Sequence, residues 1–495
     1  MIYLVRGESG RIVNRFYPNL GIATMSAVLE RQEEDVKIFD LNVQDKDYML
    51  QSAKTDNPEV IGFTTSIDDF GNVLGLTKDV KAVSPDSKIV YGGPHASLLR
   101  EKAFRVADSL DVLVIGDGEE TMPNLLSHFR NPTQKVVPGT IQKINSEIAT
   151  SDDEKVYHNL QNAPFIDWQG YDLSTFFDVL PVETSRGCPY QCPYCAEGEL
   201  NGNKVRRKDI DDVMALLDYY QTELGVSSFR FADSTFNFSL KRFKDISRAM
   251  IKTNPNIKWS SYARFEKLDE EAIELASQAG AVSLYFGIES GDDDVLKKYR
   301  KSYDWGHIKK VMENCEEQGI HAHCNFMMGF PGETEENIKN TVNRIRDIRP
   351  ASYFISPFFV VPTTKIHREA EEYGVDFVDK DWIEKLHVSF YDPTYRYFQH
   401  QTMSQDAIFK AAAKASEVLD SEGLLKNLKD YPLLTWISLG GSIKGLRKIW
   451  TNPEKHLDTE EVKYFASFRE KDLVDVPEKS SFKAKMMEIA KKKSE

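Results

Sequence analysis

The chain has 495 residues, of which 41% are hydrophobic and 28% are charged, a balance typical of a soluble globular protein with more than one domain. Its formal net charge of −14 argues against non-specific binding of nucleic acid, which requires a basic face. Five cysteines are too few for a secreted disulfide framework, and no apolar run approaches the ~20 residues of a membrane-spanning helix, so we expect a cytoplasmic protein that binds no membrane.

Residues 1–150 alternate short apolar runs with amphipathic stretches, which predicts a parallel, doubly wound, Rossmann-like α/β domain. The runs read MIYLV (1–5), DVKIFDL (35–41), EVIGFTTS (59–66), KIVYGGP (88–94) and DVLVIGDGE (111–119). Ligands of such sheets bind beyond the carboxyl ends of the strands, where this chain has small residues that let a ligand approach the backbone. Residues 151–178 lack strong periodicity and are predicted to form a linker.

Residues 179–375 contain a second alternating series, with six strand candidates separated by helical stretches. The candidates read LPVETS (180–185), SSFRFADS (227–234), IKWSSYAR (257–264), AVSLYFGIES (281–290), IHAHCNFMMG (320–329) and SYFISPFF (352–359). Six βα units predict a partial (βα)6 barrel, and such barrels place their chemistry at the mouth formed by the C-terminal strand ends. Residues 376–495 are predicted to be mainly helical, with the clearest amphipathic helix over 404–419.

Three cysteines follow the first barrel strand, and Cys188, Cys192 and Cys195 have the spacing C-x3-C-x2-C. One loop with this spacing can hold three irons of a [4Fe–4S] cluster and leave the fourth iron open for a substrate or cofactor. The alternative is a zinc site, but structural zinc prefers four protein ligands, and the sequence has no second cysteine pair. Cys315, on a helical stretch, and Cys324, within a strand, are predicted to be packed thiols of the core.

The motif resembles that of the radical S-adenosylmethionine (SAM) enzymes, whose signature is C-x3-C-x-aromatic-C, with Tyr194 at the aromatic position. The resemblance covers roughly residues 1–375. It implies that Cys188, Cys192 and Cys195 are the metal ligands and the catalytic centre. The open iron would bind SAM, and an electron from the cluster would cleave SAM to methionine and a 5′-deoxyadenosyl radical. An external electron donor is then expected as a partner.

Further positions match this family. FGIESG (286–291) resembles the ribose-binding strand end, with Glu289 as acceptor of the sugar hydroxyls, although a salt bridge at the barrel mouth is the alternative. MMGFPGET (327–334) resembles the segment whose backbone flanks the adenine, and Gly329 would allow a close approach. Arg264 lies where similar proteins place a residue near the SAM carboxylate, with a surface ion pair as the alternative.

One position departs from the family. The second barrel strand ends FADSTFNF (231–238), where many radical SAM proteins have Gly-Gly-Glu in contact with the SAM amino group. Asp233, Ser234 and Thr235 are the polar substitutes that the sequence offers for this contact.

The strings VIGFTTS, YGGPHAS and VIGDGEET resemble the N-terminal cobalamin (B12)-binding domain of one large class of radical SAM enzymes. The resemblance implies cobalamin between the two domains, with contacts from the strand ends at Thr64, Thr65, Ser66, Gly92, Gly93 and Gly116. The Asp-x-His-x-x-Gly motif that supplies a histidine to cobalt in other cobalamin proteins is absent. We therefore expect no protein histidine beneath the cobalt, and a structural role for His95.

The activity that the resemblance implies is methylation of an unactivated carbon or phosphorus of a small metabolite. One SAM would supply the methyl group through cobalamin, and a second would supply the radical that removes hydrogen from the substrate. Two alternatives stay open: the same architecture could catalyse cyclisation, rearrangement or transfer of another SAM-derived group, or it could be a non-catalytic sensor of cobalamin or SAM. Methylthio transfer is not favoured, because residues 1–187 contain no cysteine.

Overall fold

The computed structural model of the protein describes residues 1–9, 17–132, 135–153, 155–176, 179–253, 256–388 and 394–421. The part of the predicted C-terminal region from 422 to 495 lies outside these residues.

The first sheet has seven strands in the order β2-β1-β3-β4-β5-β6-β7. Five are parallel to one another: β1 (Ile2–Arg6), β2 (Val36–Asp40), β3 (Val60–Thr64), β4 (Lys88–Gly92) and β5 (Val112–Val114). Every residue of β1 and of β5 is buried, because helices cover both faces of the sheet. The predicted doubly wound sheet is confirmed. The antiparallel strands β6 (Thr140–Ile144) and β7 (Glu147–Thr150) extend it beyond the five predicted strands.

The helices of this part are α1 (Leu20–Glu30), α2 (Lys46–Asp56), α3 (Phe70–Val83), α4 (Pro94–Leu99), α5 (Ala103–Val106) and α6 (Gly118–Arg130). Side-chain caps fix where two of them begin. Before α1, the side-chain oxygen of Asn19 accepts the Ile22 N–H at 2.9 Å. Before α2, the side-chain carboxylate of Asp45 accepts the Tyr48 N–H at 2.9 Å.

The second sheet has six parallel strands in the order β15-β14-β13-β12-β11-β8. They are β8 (Val179–Val182), β11 (Ser228–Phe231), β12 (Lys258–Ala263), β13 (Ala281–Glu289), β14 (His321–Met328) and β15 (Ser352–Pro357). A short antiparallel hairpin, β9 (Ser185–Arg186) with β10 (Arg206–Arg207), follows β8. All six predicted barrel strands are present, so the predicted partial barrel is confirmed.

The helices of the barrel are α7 (Glu197–Leu200), α8 (Ile210–Thr222), α9 (Leu240–Thr253), α10 (Glu270–Gln278), α11 (Asp293–Lys298), α12 (Trp305–Glu317) and α13 (Glu335–Ile348). Alternate strand residues face these helices and form the apolar core. Trp259 is completely buried there, and its indole N–H donates to the Ala279 carbonyl at 2.9 Å. The strand residues that alternate with these core residues, such as Tyr262 and Tyr285, face the opposite side of the sheet, which is the interior of the barrel.

The chain after the barrel contains α14 (Lys365–Arg368), α15 (Gln405–Ser421) and a two-stranded antiparallel sheet of β16 (Val375–Phe377) and β17 (Phe398–His400). The predicted helix over 404–419 is confirmed as α15, which packs Ala412 and Ala415 into the barrel core. Two short strands, β16 and β17, accompany this helix in the described part of the region that is predicted to be mainly helical. Within the described ranges, none of the helices is both long enough and apolar enough to cross a bilayer.

One apolar cluster joins the parts of the molecule. It runs from Phe63 and Tyr91 of the first sheet to Tyr299 and Phe330 at the barrel mouth, and on to Tyr397 beside β17. The first sheet, the barrel mouth and the chain after the barrel therefore share a core at the edge where the functional residues lie.

Candidate functional site

The three clustered cysteines lie on the loop between β9 and β10, and these two strands pair at the base of the loop. Gly187 begins the loop with a φ of +91°, and a Cβ there would lie 2.6 Å from the Lys204 carbonyl oxygen, so the turn requires glycine. The Cys188 N–H donates to the Gly202 carbonyl at 3.2 Å, and the Cys195 N–H donates to the Cys192 carbonyl at 3.1 Å. One folded loop at the barrel mouth thus carries all three thiols.

The environment of the thiols is suited to iron. The Cys188 Sγ lies 3.7 Å from the Thr235 hydroxyl, and the Cys195 Sγ accepts the Glu197 N–H at 3.4 Å. Desolvation by the surrounding protein raises the pKa of Cys188, and it raises the pKa of Cys195 to about 12 although that side chain is accessible to solvent. Iron must therefore displace protons from these thiols. Among the described residues, no three His, Cys, Asp or Glu side chains converge on a single-ion site, whereas a four-iron cluster attaches each thiolate to a different iron.

Asp233 lies just beyond β11, and only 1% of it is exposed. Its Oδ1 accepts the Thr184 N–H at 2.8 Å, and its Oδ2 accepts the hydroxyls of Thr184 at 2.6 Å and of Ser185 at 2.5 Å. Both carboxylate oxygens are used in fastening the end of β8 to the end of β11. Asp233 thus shapes the base of the cysteine loop, and its contact with the SAM amino group stays a prediction.

Glu197 is a site residue that the sequence reasoning missed. Its Oε1 accepts the Ser234 hydroxyl at 2.5 Å, and its two oxygens accept the Asn201 amide N–H groups at 3.0 and 3.1 Å. Both donors are neutral, and no ion pair to Glu197 occurs in the part of the chain that the structure describes. The carboxylate is thus available to a cation beside the cysteines, and its position two residues after Cys195 is the signal that could have identified it.

Glu289 ends β13 with a φ of +76°, a backbone conformation that is rare outside glycine. Its Oε1 accepts a hydrogen bond from Lys301 Nζ at 2.9 Å, and Lys301 also donates to the Gly287 carbonyl at 2.7 Å. Burial tends to lower the pKa of Lys301, but Glu289 together with the nearby Tyr303 and Cys192 outweighs burial and leaves that pKa raised. The structure thus contains the salt bridge considered as the alternative, and it also leaves the second carboxylate oxygen of Glu289 at the barrel mouth.

Arg264 directly follows β12, and its guanidinium carbon stacks 3.8 Å from the centroid of the Tyr190 ring. Its Nη2 lies 2.5 Å from the Glu266 Oε1, so the guanidinium forms the ion pair considered as the alternative. The buried Nε, however, has no hydrogen-bond partner. The ring of Tyr190 belongs to the cysteine loop, so Arg264 presents an unused donor next to that loop.

Tyr194 packs in the aromatic cluster at the barrel mouth, with ring centroids 5.4 Å from Phe330 and 6.3 Å from Tyr299. Gly329 has a φ of +90°, but a Cβ there would lie 2.4 Å from two side-chain carbons of Ile408 in α15. The Gly329 N–H donates to the Glu333 carboxylate at 2.5 Å. Ile408 of α15 therefore makes a close approach at Gly329, and the contact of this segment with adenine stays a prediction.

A cavity of about 340 Å³ lies at the carboxyl edge of the first sheet, within the size range of cofactor pockets. Its apolar wall comes from strand and helix side chains, among them Leu4, Val90, Val114, Ile22, Met25 and Met122. Four of the residues predicted to contact cobalamin, Thr64, Gly92, Gly93 and Gly116, line this cavity, and a Cβ at Gly92 would have no atom within 4 Å. The cavity reaches the barrel at Glu183, Arg186, Leu200 and Asn201, the last two of which lie on the cysteine loop.

Thr65 and Ser66 do not line this cavity. The Thr65 hydroxyl donates to the Gly92 carbonyl at 2.9 Å and accepts the Ala96 N–H at 3.0 Å, so it ties the β3 end to the β4 end. The Ser66 hydroxyl donates to Asp68 at 2.7 Å. Both residues hold the loops around the cavity, and their contact with the cofactor stays a prediction.

Arg186 connects the two halves of the site. Its guanidinium lies 2.8 Å from Asp117 and 2.9 Å from Glu119 in the loop and first turn after β5, and 2.8 Å from Glu183 after β8. Arg206 also pairs with Asp117 and donates to the His158 carbonyl at 2.9 Å. Since Arg186 immediately precedes Gly187, these ion pairs fix the cysteine loop against the cavity wall of the first sheet.

Comparison with known proteins agrees with this geometry. The sequence model of the radical SAM superfamily matches residues 182–345, and that of the B12 binding domain matches residues 13–126. The chain belongs to the radical SAM superfamily and carries a B12-binding domain. The radical SAM match contains the cysteine loop and strands β9 to β14. The B12-binding match contains the residues of the first domain that line the cavity, except Leu4.

Several known proteins are similar to the larger part of the chain. An uncharacterised methyltransferase of Pyrococcus horikoshii is 26% identical over 67% of this chain and 74% of its own length. The cytidylyl-2-hydroxyethylphosphonate methyltransferase of Streptomyces wedmorensis is 24% identical over 74% of this chain and 79% of its own length. The solved structure of the radical SAM methyltransferase TsrM from Kitasatospora setae, with cobalamin and a [4Fe–4S] cluster bound, has a TM-score of 0.65 at 18% identity, over 77% of this chain and 81% of that one.

In the radical SAM domain, Cys315 and Cys324 are both completely buried, as predicted for packed thiols. In the B12-binding domain, His95 is 1% exposed, packs 4.6 Å from the Phe70 ring and does not line the cavity. Burial lowers the pKa of His95 to about 3, so it stays neutral. Its surroundings agree with the structural role expected for it.

Proposed function

We propose that this radical SAM enzyme holds a [4Fe–4S] cluster on Cys188, Cys192 and Cys195 and cobalamin in the cavity of the first sheet. We further propose that it methylates an unactivated carbon or phosphorus of a small metabolite. The observation that carries the proposal is the continuity of the site, because Leu200 and Asn201 belong to the cysteine loop and also line the cavity. The two cofactors would thus face each other across one boundary.

The cavity fits part of a cobalamin molecule. Its deep wall is apolar, which suits a flat aromatic group such as the benzimidazole of the nucleotide tail. Its rim is polar, with Thr64, Ser97 and Asn201 available to amide and phosphate groups. No histidine occurs among the described residues that line it, so a cobalt ion above this cavity would have no histidine ligand from the wall.

The cysteine loop fits a cluster. Three thiols, one backbone N–H donor to sulfur and one nearby hydroxyl are the surroundings that iron–sulfur clusters require, and the protein offers no fourth cysteine on this loop. When bound, the cluster would supply the electron that cleaves SAM, and cobalamin would carry the methyl group.

The chain's own residues would bind and orient SAM. The free carboxylate oxygen of Glu289 can accept the ribose hydroxyls, and the unused Nε–H of Arg264 can donate to the SAM carboxylate. Glu197 carries the charge that an ammonium group requires. Arg186 and Asp233 hold the loop in place, and the aromatic cluster around Tyr194 excludes water from the mouth.

The decisive experiment is anaerobic purification after expression with cobalamin, followed by measurement of iron and cobalamin per chain. We expect about four irons, as a [4Fe–4S] cluster requires, and one cobalamin. An external reductant such as titanium(III) citrate should then produce 5′-deoxyadenosine from SAM. SAM labelled in its methyl group should transfer the label to a small metabolite from a cell extract.

The outcomes separate the alternatives. Iron and cobalamin without label transfer, but with a new unmethylated product, would favour cyclisation, rearrangement or transfer of another SAM-derived group. Iron without cobalamin would contradict the methyltransferase proposal. Binding of both cofactors without any cleavage of SAM would favour the sensor.

A further inference from the structure

A row of polar side chains lies on adjacent strands inside the barrel, and the proposed cofactors assign it no role. Tyr262, Tyr285, His323 and Ser352 are paired in register across β12, β13, β14 and β15. The ring centroids of Tyr262 and Tyr285 are 5.6 Å apart, those of Tyr285 and His323 are 5.3 Å apart, and the His323 Nδ1 lies 2.7 Å from the Ser352 hydroxyl. The side chains therefore form a continuous surface across four strands.

Arg230 joins this row from the adjacent strand β11. Its guanidinium carbon lies 5.7 Å from the centroid of the Tyr262 ring, and the phenols of Tyr285 and Tyr17 are close enough to interact with its charge. An arginine is always protonated in a protein, so a full positive charge faces the interior of the barrel.

This charge differs from the other cations around the site. Arg186, Arg264 and Lys301 each form an ion pair with a carboxylate. Arg230 has no carboxylate partner anywhere in the described ranges, and the ionisable groups beside it are the phenols of tyrosines. A half-buried cation without a counter-ion is only partly solvated, so it offers an entering anion an unshared, charge-assisted partner, and this arrangement favours an anion at the site.

The barrel interior is accessible at this level. Tyr262 lies on the third of six strands and is nevertheless 36% exposed, and Arg230 is half-buried. A small molecule can thus reach the guanidinium, and the two tyrosine rings offer it an apolar face.

We infer that Arg230 binds an anionic oxygen group of the substrate, a carboxylate or a phosphonate-type group. This inference rests on the proposed function and narrows its substrate to an acidic small molecule. Ser234 and Thr235, at the mouth, follow Arg230 by four and five residues, and Thr235 contacts Cys188. Because a strand advances ~3.3 Å per residue, the anionic group and the cluster end of the barrel are separated by at most roughly 13–17 Å. An elongated metabolite can therefore be held at Arg230 while its other end faces the reacting centre.

The test uses the full chain loaded with cluster, cobalamin and SAM, and methylphosphonate as the probe. Line broadening of the methylphosphonate phosphorus NMR signal reports its binding. We expect Arg230→Gln to weaken binding about tenfold or more, because a charge-assisted fork is lost, and Arg230→Lys to weaken it less. Arg248→Gln, which removes an exposed arginine of α9 that pairs with Glu271, is the matched control and should bind like the wild type.

Acetate provides the second arm of the test. Displacement of methylphosphonate by acetate would show that carboxylates share the site, and a lack of displacement would restrict the substrate to phosphonate-type anions. Absence of broadening with the wild type, or equal broadening with Arg230→Gln, would overturn the inference. Iron and cobalamin contents measured on every variant report folding, and a wild type that lacks cobalamin would contradict the proposed function without affecting the anion result.

Discussion

At the scale of single residues, Glu289 combines two unfavourable features that a purely structural residue rarely has, a strained backbone conformation and a carboxylate held beside a buried lysine. Its φ of +76° costs a non-glycine residue on the order of 1–3 kcal/mol, and its carboxylate is held beside the buried Lys301. Strain of this kind persists where the surrounding structure enforces it, and it is concentrated at functional sites. The position of Glu289 at the end of β13, at the barrel mouth, is therefore consistent with binding of SAM.

Replacing Glu289 with Ala should weaken the binding of SAM by about tenfold to a hundredfold, because two hydrogen bonds from the ribose to a charged acceptor are lost. The dissociation constant can be measured by equilibrium dialysis of labelled SAM. Glu271→Gln, at an exposed position on α10, is the control and should leave the affinity unchanged. An unchanged affinity of the Glu289 variant would assign this residue to the salt bridge with Lys301 alone.

Replacing Cys188, Cys192 or Cys195 with Ala should abolish cleavage of SAM, because a four-iron cluster that lacks one of three thiolates loses its attachment to this loop. The measurement is 5′-deoxyadenosine formed under reductant, together with iron per chain. Cys315→Ala, which truncates a buried thiol on α12, should keep both. Loss of iron from the Cys315 variant, or product from any of the three loop variants, would contradict the assignment of the cluster ligands.

At the scale of elements, the ion pairs of Arg186 connect the loop after β5 to the loop that carries the cysteines. Removing the cation from a buried group of three carboxylates leaves uncompensated charges, and such losses cost about 3–5 kcal/mol. The same substitution at an exposed arginine costs about 0–1 kcal/mol. The chain offers a matched pair, since Arg130 also binds two carboxylates, Glu34 and Glu59, but at the surface of the B12-binding domain.

Arg186→Gln should therefore lower the free energy of unfolding by several kcal/mol and loosen the retention of cobalamin, whereas Arg130→Gln should change both little. Urea unfolding and the cobalamin retained after gel filtration measure the two effects. Equal effects of the two variants would show that the position of Arg186 between the cavity and the cysteine loop has no special consequence.

Glu333 is a buried carboxyl group in the turn after β14, and its ionisation makes the stability of the fold depend on pH. It is 1% exposed, accepts the Gly329 N–H at 2.5 Å and the Phe330 N–H at 3.2 Å, and burial raises its pKa from 4.5 to about 7. A carboxyl group whose pKa is raised on folding stabilises the folded state below its unfolded pKa, and this contribution is lost as the pH rises through 7. The loss amounts to about 3 kcal/mol at most, since one pKa unit is worth about 1.4 kcal/mol.

We therefore expect the urea concentration at the unfolding midpoint of the wild type to decrease as the pH is raised from about 5 to about 8. The midpoint of Glu333→Gln, which cannot ionise, should decrease less over the same range. Glu336→Gln, at an exposed position in the same segment, should have the slope of the wild type. Parallel slopes of the wild type and the Glu333 variant would show that this carboxyl titrates normally.

At the scale of the whole molecule, the sequence predicts those features that depend on residues close together in the chain. Buried parallel strands read as continuous apolar runs, and the cysteine spacing identifies one loop, so both sheets and the centre of the site follow from the sequence. The roles of Asp233 and Gly329 depend on partners from distant segments, namely Thr184 and Ile408, and no local pattern encodes them. Arg186 was missed for the same reason, because its partners Asp117 and Glu119 belong to the other domain.

The continuity of cavity and cysteine loop allows the two proposed cofactors to be separated by one substitution. Gly92 ends β4 in the wall of the cavity, and a Cβ there would meet no atom within 4 Å. Gly92→Leu should therefore fold normally and fill space that cobalamin would occupy, while the cysteine loop is unchanged. We expect this variant to keep its iron and to cleave SAM, but to lose bound cobalamin and transfer of the labelled methyl group.

Gly75→Leu is the matched control, because Gly75 also has no atom within 4 Å of an added Cβ but lies on the exposed side of α3. It should retain both cofactors, apart from any change in stability from leucine in a helix. If Gly92→Leu bound cobalamin like the wild type, the cavity would not be its site. If the variant lost iron as well, filling the cavity would also disturb the cysteine loop. The cluster would then depend on the cavity more strongly than the ion pairs of Arg186 predict.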